Sequence, residues 1–150
     1  MNILDRKLLM TLQSNPSVPV TEIAELLNMS HSACWKKIKK LELDGYIDGR
    51  AILLNQKKLG LNVTVITQVK LEQNVTQAIE EFEQSVQEYP QIVSCYSMSG
   101  ESDYILRIVA KSIEDYELFL REKLANLPYV VSLNSSFTLR AVKNITTLPV

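Results

Sequence analysis

An α+β fold in two parts is predicted by three features of the 150-residue sequence. Apolar residues recur at helical spacing as far as Gly45 and at a spacing of two from Asn62 onward. Beyond Asn62 the segments read strand, helix, strand, strand, helix, strand, which is the split βαβ, or ferredoxin-like, order. Charge divides near the same place. Residues 1–60 carry nine Lys/Arg against six Asp/Glu, and residues 61–150 carry seven against eleven, within a net charge of −1. The basic half favours contact with phosphate, whereas the acidic half is repelled by it.

Taken in order, Leu4, Leu8, Leu9 and Leu12 fall on one side of a first helix over residues 4–14. Asp5 lies in its opening turn, where the helix dipole favours an anion, and Asn15-Pro16 ends it. A short second helix from Val20 to Leu27 turns Ile23, Ala24 and Leu27 inward. Asn28 then supplies a left-handed turn residue, and Ser30 is suited to cap a third helix by accepting a hydrogen bond from a first-turn amide. That helix runs from His31 to about Asp44, with Gly45 as its left-handed stop. Its apolar face holds Cys34, Ile38 and Leu41, while Ser32, Lys36 and Lys39 point away, flanked by Lys37 and Lys40. Two short helices joined by a tight turn, the second one basic, make a helix-turn-helix, whose second helix enters the major groove of DNA. The competing reading is a solvated charged face. The turn chemistry and the adjoining cap weigh against it. Leu43 falls on the exposed side, where contact with the following segment is expected.

Tyr46 to Arg50 breaks the helical pattern, Ala51 to Leu54 reads as a short strand, and Gln56 to Gly60 reads as a one-turn connector. The boundaries that follow are a helix-turn-helix domain over 1–48, a strand-containing linker over 49–61, and a ferredoxin-like domain over 62–150. In the last, Val63, Val65, Thr67, Val69 and Leu71 line one face of a strand. A helix from Val75 to Glu88 turns Ile79, Phe82 and Val86 inward and Glu80, Glu81 and Glu83 outward. Strands over Ile92–Met98 and Tyr104–Ala110 flank a Gly-containing hairpin turn. Ser112 caps a helix through Leu124, with Ile113, Tyr116, Leu120 and Leu124 in register, and Val130 to Val142 forms the final strand. The two helices cover one sheet face. A second copy of the sheet is the simplest cover for apolar residues on the other, so a homodimer is expected.

Composition excludes several classes of function. The two cysteines, Cys34 and Cys95, lie in segments that read as buried, which suits a reducing cytosol and implies no disulfide framework. Cys34 reads as inert core or as a redox sensor, and its place on the apolar face favours core. His31 is the single histidine, and no paired ligand spacing points to a metal. The start of the chain has Asp5, Arg6 and Lys7 in place of an apolar signal core, and no apolar run approaches membrane-spanning length. A soluble cytoplasmic protein with no membrane partner is expected. No Gly-rich phosphate loop, nucleophile elbow or acid–base pair is present, so neither catalytic residues nor a cofactor are expected. The alternative is an enzyme or enzyme-regulatory subunit built on the ferredoxin-like half. It leaves the lysine helix unexplained.

Four stretches, LDRKLLMTLQ at 4–13, MSHSACWKKIKKLELDGYIDG at 29–49, SGESDYIL at 99–106 and LPYVVSLNSSF at 127–137, share one further property. In their order and spacing the chain resembles the Lrp/AsnC (feast/famine) transcription regulators of bacteria and archaea. The resemblance implies a winged-type helix-turn-helix joined by a strand to a ferredoxin-like domain that dimerises and often assembles further, for example into octamers. Members bind promoter DNA, and many sense an amino acid. The DNA-binding residues are then Ser30, His31, Ser32, Trp35, Lys36, Lys37, Lys39 and Lys40. The lysines would mostly meet phosphates, and His31, Ser32 and Lys36 near the helix start would reach base edges. Trp35 would pack on the sugar-phosphate backbone or cover the gap to a neighbouring helix. The resemblance also places an amino-acid effector at the subunit interface, on Met98, Gly100, Glu101, Ser102 and Asp103, with Ser135 and Ser136 of a neighbouring subunit. Backbone amides around Gly100 would hold a carboxylate, and Asp103 would pair with an α-ammonium. The plainer reading is a turn that needs Gly100 and a local turn hydrogen bond from Asp103. Ser102 departs from the family pattern, since many members have an aromatic residue there.

Overall fold

The computed structural model describes residues 1–73 and 75–150, and the chain divides into two units, Met1–Leu53 with Lys143–Val150, and Leu54–Val142. In the first unit, α1 spans Ile3–Ser14, α2 spans Val20–Leu26 and α3 spans His31–Leu43. Several of these boundaries have a local chemical cause. Asn2 and Asp5 cap α1 reciprocally, each side chain accepting the other's backbone amide. Asn28 takes φ +51° in the turn between α2 and α3, and the Ser30 hydroxyl accepts the amide of Ala33 at 3.3 Å. At the far end of α3, Gly45 takes φ +74° and the Tyr46 amide donates to the carbonyl of Leu41 at 2.9 Å, satisfying an end carbonyl of the helix. Leu8, Ile23, Ala24, Cys34, Ile38 and Leu41 form the core of this unit.

The segment Ala51–Leu54 forms no strand. It follows α3 without regular structure, and Ile52, Leu53 and Leu54 are all exposed. A strand is defined by its partner, and none pairs with this segment among the described residues. The second domain read from the sequence ran on to residue 150. In the structure the last eight residues group with the first unit instead. There the Gln13 side chain donates to the Leu148 carbonyl at 2.8 Å and accepts the Leu148 amide at 2.9 Å.

The second unit is a four-stranded antiparallel sheet with two helices on one face. Its elements are β1 Val63–Leu71, α4 Thr76–Val86, β2 Ile92–Ser97, β3 Tyr104–Ala110, α5 Ile113–Glu122 and β4 Val130–Phe137, in the sheet order β2-β3-β1-β4. Val65, Val69, Leu71, Tyr104, Leu106 and Ile108 project from the sheet into the core. Ala78, Phe82 and Val86 on α4, and Tyr116 and Phe119 on α5, meet them. Two expected core residues do not take part: Ile79 is 53% exposed and Ile113 is 58% exposed. On these two helices Ala78 and Phe119 are buried instead. A 3₁₀ turn over Leu124–Asn126 follows α5 and buries Leu124. The final strand ends at Phe137, short of the expected Val142, because its partner β1 begins at Val63. Val65 pairs with Phe137, and the Thr138 amide makes the last bond, to Thr64, at 2.9 Å.

Among the described residues, Thr67 on β1 is the buried polar side chain of this core. Its hydroxyl bonds that of Tyr116 at 3.0 Å and that of Ser135 at 3.1 Å, and the latter two bond each other. The opposite sheet face carries no helix. Alternation puts Ile66, Gln68 and Lys70 of β1 there with Ile105 and Arg107 of β3 and Tyr96 of β2.

Candidate nucleic-acid interface and effector cleft

The outer face of α3 follows from its buried one. With Cys34, Ile38 and Leu41 in the core, His31, Ser32, Trp35, Lys36, Lys39 and Lys40 are exposed. Ser30 is exposed as well, with its hydroxyl 3.4 Å from that of Ser32 beside the free amides of the first turn. The four lysines are not equivalent. Lys37 Nζ lies 2.6 Å from Asp5 Oδ1 on α1. Lys39 Nζ lies 2.6 Å from Glu42 Oε2 and 6.0 Å from the centre of the Trp35 ring, within cation–π range. Lys36 and Lys40 have no carboxylate partner among the described residues. Trp35 is 48% exposed, and Leu43 is 87% exposed and makes no cover for the following segment.

Sequence reasoning missed Asp5 in this setting. The Lys37 ammonium, and then the Asn2 amide, hold its carboxyl below the ordinary carboxylate value. No sequence signal links two residues this far apart on separate helices. The Cys34 thiol is pushed up by burial, and Cys95 is pushed up by burial and by the nearby Glu83 charge. Both shifts disfavour a reactive thiolate.

The hairpin between β2 and β3 closes with the Met98 amide donating to the Asp103 carbonyl at 2.9 Å, and Gly100 sits at φ +140°. Asp103 is tied to β1 twice. Its Oδ2 accepts the Leu71 amide at 2.7 Å, and its own amide donates to the Val69 carbonyl at 2.9 Å. Beside it opens a cleft of about 390 Å³ lined by Leu71, Glu72, Ala78, Met98, Asp103 and Tyr104, among others. The Tyr104 phenol donates to Glu83 at 2.6 Å and is pushed well up by burial, then by Glu83. Of the residues expected around an effector, Met98 and Asp103 line this cleft. Gly100 and Glu101 are exposed at the hairpin tip and Ser102 is half-buried. Neither Ser135 nor Ser136 lines it, and the Ser135 hydroxyl is taken up with Thr67 and Tyr116. Among the described residues the lining has two carboxylates, no basic side chain and several apolar ones, which suits a ligand with a cationic end and an apolar body.

Among the described residues no group of three metal-ligating side chains converges, and no helix is long and apolar enough to cross a membrane. What remains is a polar-capped basic helix presented by a three-helix unit, followed by a separate sheet domain with a cleft at its loop end. That pairing defines a DNA-binding transcription regulator with a ligand-binding domain, and comparison with known proteins says which kind. Residues 1–48 match the winged helix-turn-helix DNA-binding domain, and residues 64–148 match the Lrp/AsnC ligand binding domain. The chain belongs to the Lrp/AsnC family. It is 31% identical to the DNA-binding transcriptional activator DecR of Escherichia coli K12, over 98% of this chain and 97% of that one. In structure it is similar to a Neisseria meningitidis transcriptional regulator solved with L-methionine, with a TM-score of 0.95, 30% identity, and 99% and 96% of the two chains covered. An AsnC family regulator from Agrobacterium tumefaciens gives a TM-score of 0.93 at 34% identity, with 99% and 97% covered.

Proposed function

We propose that the protein works in the cytoplasm as a homodimer, assembling further into higher oligomers such as octamers, that binds promoter DNA and answers to an amino acid. The observation that carries the DNA reading is α3 itself, a capped helix with its apolar face buried and Ser32, Lys36 and Lys40 directed outward. Each subunit lays this helix into the major groove of one half-site, so the operator is roughly palindromic. His31 and Ser32 in the opening turn, with Lys36, read base edges, and Ser30 caps that turn. Lys39, Lys40 and Trp35 meet the sugar-phosphate backbone, and Lys37 supports α3 from its inner edge. Support for the dimer comes from the uncovered sheet face around Ile66, Ile105 and Tyr96, which a second copy of the sheet would bury.

The effector reading rests on the cleft beside Asp103 and on the methionine found with the Neisseria relative. Asp103 pairs with the α-ammonium, amides around Gly100 take the carboxylate, and Met98, Glu101 and Ser102 shape the site. Ser136 comes from a neighbouring subunit, and Ser135, whose hydroxyl is engaged with Thr67 and Tyr116, positions it. Gel shifts on the region upstream of the protein's own gene test the first half. Alanine at both Lys36 and Lys40 should weaken binding, and unchanged affinity would end the DNA reading. For the second half, melting temperatures are measured with each of the twenty amino acids. One stabilising amino acid, ineffective in Asp103→Asn, supports the effector site, and no stabilising case argues for a ligand-independent regulator. Light scattering of the purified protein reads the oligomeric state directly.

A further inference from the structure

One ion pair joins α1 to α3, and it is more confined than surface pairs usually are. The Lys37 and Asp5 side chains keep only 23% and 15% of their exposure, with 2.6 Å between Nζ and Oδ1. Asp5 is fixed independently of the lysine. Its Oδ2 accepts the Asn2 amide at 2.9 Å, while Asn2 Oδ1 accepts the Asp5 amide at 2.8 Å. The carboxylate is thereby held to the first turn of α1, with its other oxygen aimed at α3. Lys40, Asp44 and Tyr46 stand around the pair. On α3, Lys37 lies between the buried stripe of Cys34, Ile38 and Leu41 and the exposed Lys40. Its long, flexible stem would allow the ammonium to swing outward beside Lys40 if the carboxylate lost its charge.

Resting on the DNA-binding reading above, we propose that Asp5 is a positioning residue for DNA recognition, which holds Lys37 on α1 and withholds its charge from the phosphate backbone. The recognition helix then meets DNA with Lys36 and Lys40 as its unpaired lysines. Phosphate contacts supply affinity for any sequence and carry no base information. Withholding one lowers general affinity for DNA and leaves a larger share of the binding to the base-reading turn at Ser30–Ser32.

The test is the salt dependence of binding by the full-length protein to a mixed-sequence duplex, followed by fluorescence anisotropy between about 50 and 200 mM salt. Asp5→Asn keeps an acceptor for the Asn2 amide and removes the charge that holds Lys37. Its log–log salt slope should steepen by about 0.9 for each subunit on the DNA. Lys37→Ala alone should leave the wild-type slope unchanged, and Lys37→Ala combined with Asp5→Asn should cancel the steepening. A merely structural pair would lower the melting temperature of the variants without this pattern of slopes. An unsteepened slope in folded Asp5→Asn, or a flattened one in Lys37→Ala, overturns the proposal. If Asp5→Asn fails to fold, Asp5→Ser, which also removes the charge that holds Lys37, is measured in its place, with the same steepening expected and its absence again overturning the proposal. Wild-type protein with no salt-dependent binding would instead defeat the DNA reading beneath it.

Discussion

The carboxylate of Asp103 accepts the amide of Leu71 at 2.7 Å, so the hairpin residue best placed to meet a cationic ligand also ties the end of β1 to the start of β3. The bond is charge-assisted and part-buried. Asp103→Ala should cost about 1.5–3 kcal/mol even without an effector, read as a lower urea midpoint. Asp103→Asn, which keeps an acceptor, should cost less. An unchanged midpoint in Asp103→Ala would mean that the bond contributes nothing to the fold, and only then could the alanine variant report on ligand alone.

The lysines of α3 should separate in a salt series. Lys40→Ala, which removes an unpaired lysine facing phosphate, should flatten the log–log slope of DNA binding by about 0.9 per subunit, and Lys36→Ala, which removes a base contact, should change it less. Lys39→Ala should flatten it less, because Glu42 already holds that ammonium at 2.6 Å. Gel shifts at several salt concentrations measure this, and equal effects at Lys36, Lys37, Lys39 and Lys40 would contradict the pairings seen.

Tyr104 should ionise well above the ordinary tyrosine value. Its phenol is buried and donates to Glu83, and both effects favour the neutral form. Because the folded value lies above the ordinary 10.0, the stabilisation is present in full below about pH 10 and is lost as pH rises beyond it toward the folded value. Alkaline unfolding followed by circular dichroism should therefore steepen above that point in the wild type and less in Tyr104→Phe. Identical profiles would remove Tyr104 as the cause.

Gly45→Ala isolates a backbone cost. An added Cβ at Gly45 meets nothing within 4 Å, so only the φ of +74° opposes it. The expected loss is about 1–2 kcal/mol. Gly45→Asn should lose less, since asparagine tolerates this conformation. Thermal unfolding of the two variants checks the order.

Features set by neighbours in sequence were legible. Asn28, Ser30 and Gly45 act within a few residues of themselves, so the turn and both ends of α3 could be read from residue chemistry alone. The succession of strands and helices in the second unit was legible for a similar reason, because a spacing of two marks β1 and helical spacing marks α4 and α5. The helix stripes were less so. Helical spacing allows Ile79-Phe82-Val86 and Ala78-Phe82-Val86 equally, and only packing in the core settles which residue is buried, here the alanine. Ala51–Leu54 has strand composition, but pairing is a property of two segments. At the DNA face the lysine positions were readable and their carboxylate partners were not, since Asp5 reaches Lys37 only after the three helices pack. At the cleft, the hairpin pointed to Met98 and Asp103. Nothing in Ser135-Ser136 told which serine turns under the sheet.

The hydroxyl cluster of Thr67, Tyr116 and Ser135 bears on how the last strand finds its place. A strand with alternating faces can slide by two residues against its neighbour and still keep each face on its own side. For β4 on β1, that slide would bring Leu133 or Phe137 opposite Thr67 in place of Ser135. Thr67 and Tyr116 would keep each other but lose the third hydroxyl, at about 0.5–1.5 kcal/mol for each hydrogen bond given up. An apolar residue at all three positions would pack in several alignments. The three hydroxyls act as a key cut for one, so the final strand, which pairs with a segment far back in the chain, can seat only where the lock accepts it.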